Sequence, residues 1–241
     1  MEMSPGEIAS RLRAGDLIGD DEFDAWLPAS LRGPSVRYWT QVGVAVRVAR
    51  WLRSRGVCSV LDVGSGAGKF CVVGALGTGL SFTGVEQRGY LVDCARSLAA
   101  RFCVSGRARF VHGDLDAVDC QLFDALYFYN PFGENVAPLA ARLDETAELG
   151  RGRFDRDVAT AQGVLSRMPV GAYLATYNGY GGRVPDSFDL EHAKVAGRSL
   201  LRLWRKARDE EAGGYWLELE ETTTFRAAGL LGLPEGRAFE E

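Results

Sequence analysis

Apolar positions along the chain change period several times, and each change marks an element. Up to residue 35, short helical runs alternate with breakers: IASRLRA, DDEFDAWLPASL and the turn RGPS. This pattern predicts a small N-terminal helical cap over residues 1–35, followed by a single domain over 36–241. From Val36, VRYWTQVGVAVRVARWLRSRG sets Val42, Val46, Ala49 and Leu52 at helical spacing and stops at Gly56, which predicts an amphipathic helix. VCSVLDVG follows, a β-branched run of the length of a buried strand. The alternation then repeats: helix KFCVVGALG, strand SFTGVE, helix GYLVDCARSLAARFCV, strand RARFVHGD, strand LFDALYFYN, a helical stretch up to Met168, and strand GAYLATYN. Strands that alternate with helices pair in parallel through right-handed crossovers. After Ser199, the alternating runs SLLRLWRKAR and GGYWLELEE predict an antiparallel hairpin. The predicted class is α/β: a Rossmann-like, doubly wound, mostly parallel sheet with a C-terminal antiparallel hairpin and the N-terminal cap.

Composition narrows the function classes. Of 241 residues, 46% are apolar and 25% charged, as in a globular domain rather than a collagenous or disordered chain. No apolar run reaches the roughly 18 to 20 residues of a membrane helix. The acids among the first seven residues and the missing apolar core of a leader imply a cytoplasmic protein without a secretory signal. Lys plus Arg is 28 against 32 for Asp plus Glu, a net charge of −4, so the broad basic footprint of a nucleic-acid binder is absent. The five cysteines, odd in number and without CxxC spacing, read as reduced core thiols. With only His112 and His192 as histidines, no metal site is expected.

The most informative segment is VLDVGSGAGKF, residues 60–70. A buried strand that ends in Gly64-Ser65-Gly66-Ala67-Gly68 and opens a helix lets a nucleotide-like ligand approach the backbone where side chains would block it. The dinucleotide fingerprint wants a third glycine where Lys69 stands, and a P-loop wants Gly and Ser or Thr where Val63 and Phe70 stand. Asp62, Gly64, Gly66 and Gly68 instead resemble the acid-x-Gly-x-Gly-x-Gly motif I of the class I S-adenosylmethionine-dependent methyltransferases. Three further segments agree in order. Glu86, 20 residues after Gly66 and followed by Gln87, stands where that family's acid accepts both ribose hydroxyls. Asp114 and Leu115 in HGDL stand at its adenine contacts. Asn130, Pro131 and Phe132 in YNPFGE stand at its motif IV, the catalytic position. The resemblance implies S-adenosylmethionine as cofactor, bound by Asp62, Gly64, Ser65, Gly66, Gly68, Glu86, Gln87, Asp114, Leu115 and Asn130.

Motif IV here is one proline short of the Asn-Pro-Pro-aromatic form of the amino-group adenine methyltransferases, which argues against a base as substrate. A partial resemblance to the Rossmann-fold histone-lysine methyltransferases extends over the Gly-Val-Glu segment at Glu86 and the Asn130/Phe132 pair. The upstream segment Tyr38, Trp39, Thr40 and Gln41 is placed to cover the cofactor. The implied activity is methyl transfer to a nitrogen or oxygen of a small molecule or protein, with Asn130 orienting the substrate or the cofactor's methionine end. Tyr129, Glu134 and Asn178 are further candidates around the methyl group. Two alternatives stay open: a cofactor-binding regulatory protein without turnover, and a nicotinamide-dependent oxidoreductase. Asp114 also reads as a helix N-cap, and the Arg/Glu mixture from Arg142 to Asp157 as a solvated helix face.

Overall fold

The computed structural model describes residues 3–210 except 17 and 198. Three helices come first, α1 (Pro5–Ala14), α2 (Asp20–Asp24) and α3 (Ala29–Tyr38), then α4 (Val42–Arg53). α1 begins on a capping box, in which Ser4 Oγ accepts from Glu7 N–H and Glu7 accepts from Ser4 N–H. Next come β1 (Ser59–Val63), α5 (Lys69–Thr78), β2 (Ser81–Glu86), α6 (Gly89–Arg101), β3 (Ala108–His112), β4 (Ala125–Phe128), α7 (Arg151–Arg167), β5 (Tyr173–Tyr177), β6 (Phe188–Ala196) and β7 (Ser199–Lys206).

The sheet order is β3-β2-β1-β4-β5-β7-β6. The first five strands are parallel, and β7 is antiparallel to both neighbours. Alternate residues of each strand face opposite layers. Ala125 and Tyr127 of β4 join the core that holds the N-terminal helices, α4, α5 and α6. Leu126 and Phe128 join the core beneath α7. Where strands are buried on both faces, the turns at their carboxyl ends form one edge, the place where open α/β sheets bind ligands.

Two expectations change. The helix expected to run on from Val36 is broken: α3 crosses residue 35 and ends at Tyr38, Trp39 is extended, and α4 starts at Val42. Tertiary bonds draw the chain out of the helix there, with Thr40 Oγ1 2.8 Å from the Tyr127 hydroxyl and Val42 N–H donating to Asp20 at 2.9 Å. The antiparallel hairpin among the described residues is formed by β6 and β7, and the run GGYWLELEE lies outside the described residues. Residues 189–195 of β6 are exposed throughout, so that edge strand has no buried face along most of its length. Finally, only Cys71 and Cys120 are buried; Cys94 is half-buried, and Cys58 and Cys103 are exposed, so the expectation of five core thiols holds for two. Among the described residues, no helix is long and apolar enough to cross a membrane.

Candidate functional site

A cavity of about 1180 Å³ opens over the carboxyl ends of β1 to β5. Its floor is the turn after β1, and its walls come from the ends of the other strands, the α3–α4 connection and the first half of α7. Gly64 and Gly66 have φ of +74° and +54°, a region that glycine enters without strain. A Cβ on Gly64 would press on Pro131 Cβ at 3.0 Å, and one on Gly66 would overlap the Trp39 indole. The turn also holds itself together. Gly64 and Ser65 N–H donate to the Val85 carbonyl at 2.9 and 3.0 Å, and Gly68 N–H donates to the Ser65 carbonyl at 2.9 Å.

Glu86 ends β2 beside this floor. Its Oε2 accepts from Gly66 N–H at 3.0 Å and its Oε1 from Arg88 N–H at 2.9 Å. Burial raises its carboxyl above the usual range, against the pull of those two N–H groups and the Arg88 charge. Each oxygen retains a lone pair for another donor. Arg88 is buried between Glu134 (2.9 Å) and Asp144 (3.0 Å), and Glu134 also accepts from Leu143 N–H at 2.6 Å. Burial works against the Asp144 carboxyl, yet hydrogen bonds from Thr146, Tyr90 and Arg88 hold it well below the ordinary value. This cluster ties the strand that carries Glu86 to the segment that follows β4.

On the β3 side, Gln87, Asp114 and Leu115 line the cavity. Asp114 is ion-paired with Arg153 of α7, which also holds Asp157 at 2.8 Å. Asn135 Nδ2 donates to that Asp157 at 3.1 Å. On the β4 and β5 side, Asn130 sits at φ +42°, its N–H donating to the Gly179 carbonyl at 2.9 Å. Tyr129 and Tyr177 pack with ring centroids 4.8 Å apart, and burial pushes the Tyr129 hydroxyl up to about 12.

The fold thus brings Gly64, Gly66, Glu86, Gln87, Asp114, Leu115, Asn130, Pro131 and Phe132 to one cavity, together with Tyr129, Glu134 and Asn178. Asp62, Ser65 and Gly68 are not on its wall. Asp62 lies beneath the turn, accepting from the Cys71 thiol at 3.4 Å. Ser65 packs against Gly84, and a Cβ on Gly68 would meet Ala95 and Phe110 at 2.7 Å. His112 and His192 are exposed and off the cavity wall, the first bonded to the Gln87 carbonyl at 3.0 Å and the second stacked on Trp51. Sequence reasoning missed Arg88, Asn135 and Arg153. Only the i, i+4 spacing of Arg153 and Asp157 hinted at a pair, without hinting that it faces a cavity.

No protein-family profile matches the chain, and no curated protein matches it in sequence. Its fold is that of the class I S-adenosylmethionine-dependent methyltransferases. Among solved structures it is similar to a methyltransferase from Geobacter sulfurreducens, at 16% identity and a TM-score of 0.56 over 83% of this chain and 97% of that one. It is also similar to an O-methyltransferase from Bacillus cereus in complex with S-adenosylhomocysteine, at 12% identity and 0.54 over 83% and 97%. A third is an RNA methyltransferase from Salinibacter ruber in complex with S-adenosyl-L-homocysteine, at 17% and 0.50 over 71% and 93%.

Proposed function

We propose that this protein is an S-adenosylmethionine-dependent methyltransferase acting on a nitrogen or oxygen of a small-molecule or protein acceptor. The observation that carries this is the convergence, in one cavity, of the glycine turn, Glu86, Asp114 and Asn130 from four successive strand ends. The site suits the cofactor in two respects. Gly64 and Gly66 add no side chain of their own to a floor on which Pro131 and the Trp39 indole already pack, and a cavity of about 1180 Å³ exceeds the roughly 300–1,000 Å³ of an ordinary ligand pocket, leaving room for cofactor and acceptor together.

When bound, the cofactor supplies an electrophilic methyl group on a sulfonium. Glu86 accepts the ribose hydroxyls with the lone pairs its backbone donors leave open, and Asp114 and Leu115 flank the adenine. Asn130, fixed by its own backbone bond to Gly179, orients the acceptor next to Tyr129 and Tyr177. Glu134 is engaged by Arg88 and Leu143, so it holds the wall in place rather than taking a proton. Tyr129 and Tyr177 remain neutral hydroxyls, both raised by burial. The chain's contribution is therefore to align the reacting groups and exclude water, which is what an in-line displacement requires.

The test is a set of calorimetric titrations with S-adenosylmethionine, S-adenosylhomocysteine, NAD and ATP. Binding of the first two alone is expected, weakened at least about tenfold by Glu86→Ala, the usual cost of hydrogen bonds to a charged group. Binding of NAD instead, or unchanged affinity in both Glu86→Ala and Gly66→Trp, overturns it. Cofactor binding with no turnover on any acceptor pool would favour the regulatory alternative. RNA belongs in the acceptor panel, because one structural relative is an RNA methyltransferase.

A further inference from the structure

The cofactor's amino-acid end carries a carboxylate, and a carboxylate in a cleft needs hydrogen-bond donors. The glycine turn offers few. The N–H groups of Gly64 and Ser65 are bonded to Val85, that of Gly66 to Glu86 and that of Gly68 to Ser65. Arg88 is held by Glu134 and Asp144. The Asn130 amide folds over Gly133, where an added Cβ would overlap its Nδ2. Gln41 and Asn178 are exposed at the rim.

Trp39 differs from all of these. Its indole nitrogen lies directly over Gly66, its ring is only 6% exposed yet lines the cavity, and its Nε1–H has no hydrogen-bond partner among the described residues. The ring is also held in place: Trp39 N–H donates to the Ser35 carbonyl at 3.2 Å, the Tyr38 hydroxyl to the Ala141 carbonyl at 2.9 Å, and Thr40 bonds Tyr127 of β4. The last contact puts Trp39 on the β1–β4 side of the cleft, away from Asp114 beyond β3, with Glu86 between them.

We infer that Trp39 is a cofactor-binding residue, its indole N–H donating to the carboxylate of the cofactor's amino-acid end. This rests on the S-adenosylmethionine reading above. The N-terminal segment therefore supplies part of the binding site itself.

The experiment compares the full chain with Trp39→Phe, which keeps an aromatic ring and removes the N–H. Both are titrated with S-adenosylhomocysteine and with 5′-methylthioadenosine, whose sulfur carries a methyl in place of the amino-acid chain. Trp39→Phe should weaken S-adenosylhomocysteine roughly tenfold or more, as for a lost hydrogen bond to a charged group, and leave 5′-methylthioadenosine unchanged. An equal loss for both ligands would make Trp39 a packing residue and overturn the inference, as would no loss for either. If the unaltered protein binds neither ligand, the cofactor reading itself fails and takes this one with it.

Discussion

Asp62 is the first acid of the glycine motif, and its surroundings set its chemistry. It is 3% exposed, and burial lifts its carboxyl to about 7, against an ordinary value of 3.8, with the Cys71 thiol opposing the shift and the Glu86 charge adding to it. Between those two values the folded chain holds a proton that the unfolded chain has released. The contribution of Asp62 to stability is therefore complete below the lower value and is lost as pH rises through the upper one. Asp62→Asn cannot ionise and should remove that slope. Urea unfolding at about pH 5 and about pH 8 should show the wild-type stability difference shrinking by a few kcal/mol in the variant, given about 1.4 kcal/mol per pKa unit. An unchanged difference would mean that Asp62 does not titrate in this range. The glycine motif was legible from sequence, but the division of labour within it was not. Gly64 and Gly66 face the cavity, whereas Asp62 accepts from Cys71, Ser65 packs against Gly84 and Gly68 lies against Ala95 and Phe110, contacts that come from other elements of the fold.

At the level of elements, Lys69 shows how the N-terminal helices dock. It opens α5 with its ammonium 1% exposed, at the end of a helix where a cation is disfavoured by the helix dipole. Asp20 and Asp24 of α2 compensate at 2.6 and 2.7 Å, and Ser35 of α3 accepts at 3.2 Å. Lys69→Met leaves two carboxylates facing each other and should cost about 3–5 kcal/mol in denaturant unfolding, as when one partner of a buried pair is removed. Adding Asp24→Asn should recover part of that loss; no recovery would show that the cost lies in packing. In the sequence, Lys69 is visible only as the residue that spoils a dinucleotide fingerprint. Its partners lie more than 30 residues upstream, beyond the reach of any local pattern. The same limit hid β6, an edge strand exposed over residues 189–195 and placed only by its pairing with β7, and the break between α3 and α4, which contacts to Tyr127 and Asp20 impose on a segment that is helical by pattern.

Across the whole molecule, Ile8, Leu12 and Phe23 are buried in the same core as Val72, Val73 and Phe82. Helices that share a core with the central sheet open with it rather than separately. Native-state hydrogen exchange should accordingly give the central amides of α1 a protection close to that of β1 and β4. Free exchange in α1 beside a protected sheet would show a detachable cap, and would also undercut the assignment of Trp39 to the cofactor site.

What the sequence by itself determined is whatever has a local period or a local conformational requirement: strands against helices, the parallel order of the first five strands, and a turn that only glycines permit. Those signals need no more than a few neighbouring residues, because backbone geometry repeats at 2.0 or 3.6 residues. The tertiary structure decided which polar groups remain available to a ligand. It bonded N–H groups of the turn to Val85 and Glu86, placed Arg153 on Asp114, and brought the Trp39 indole over Gly66. Such choices depend on how layers stack across distant parts of the chain, and no window of sequence contains both partners.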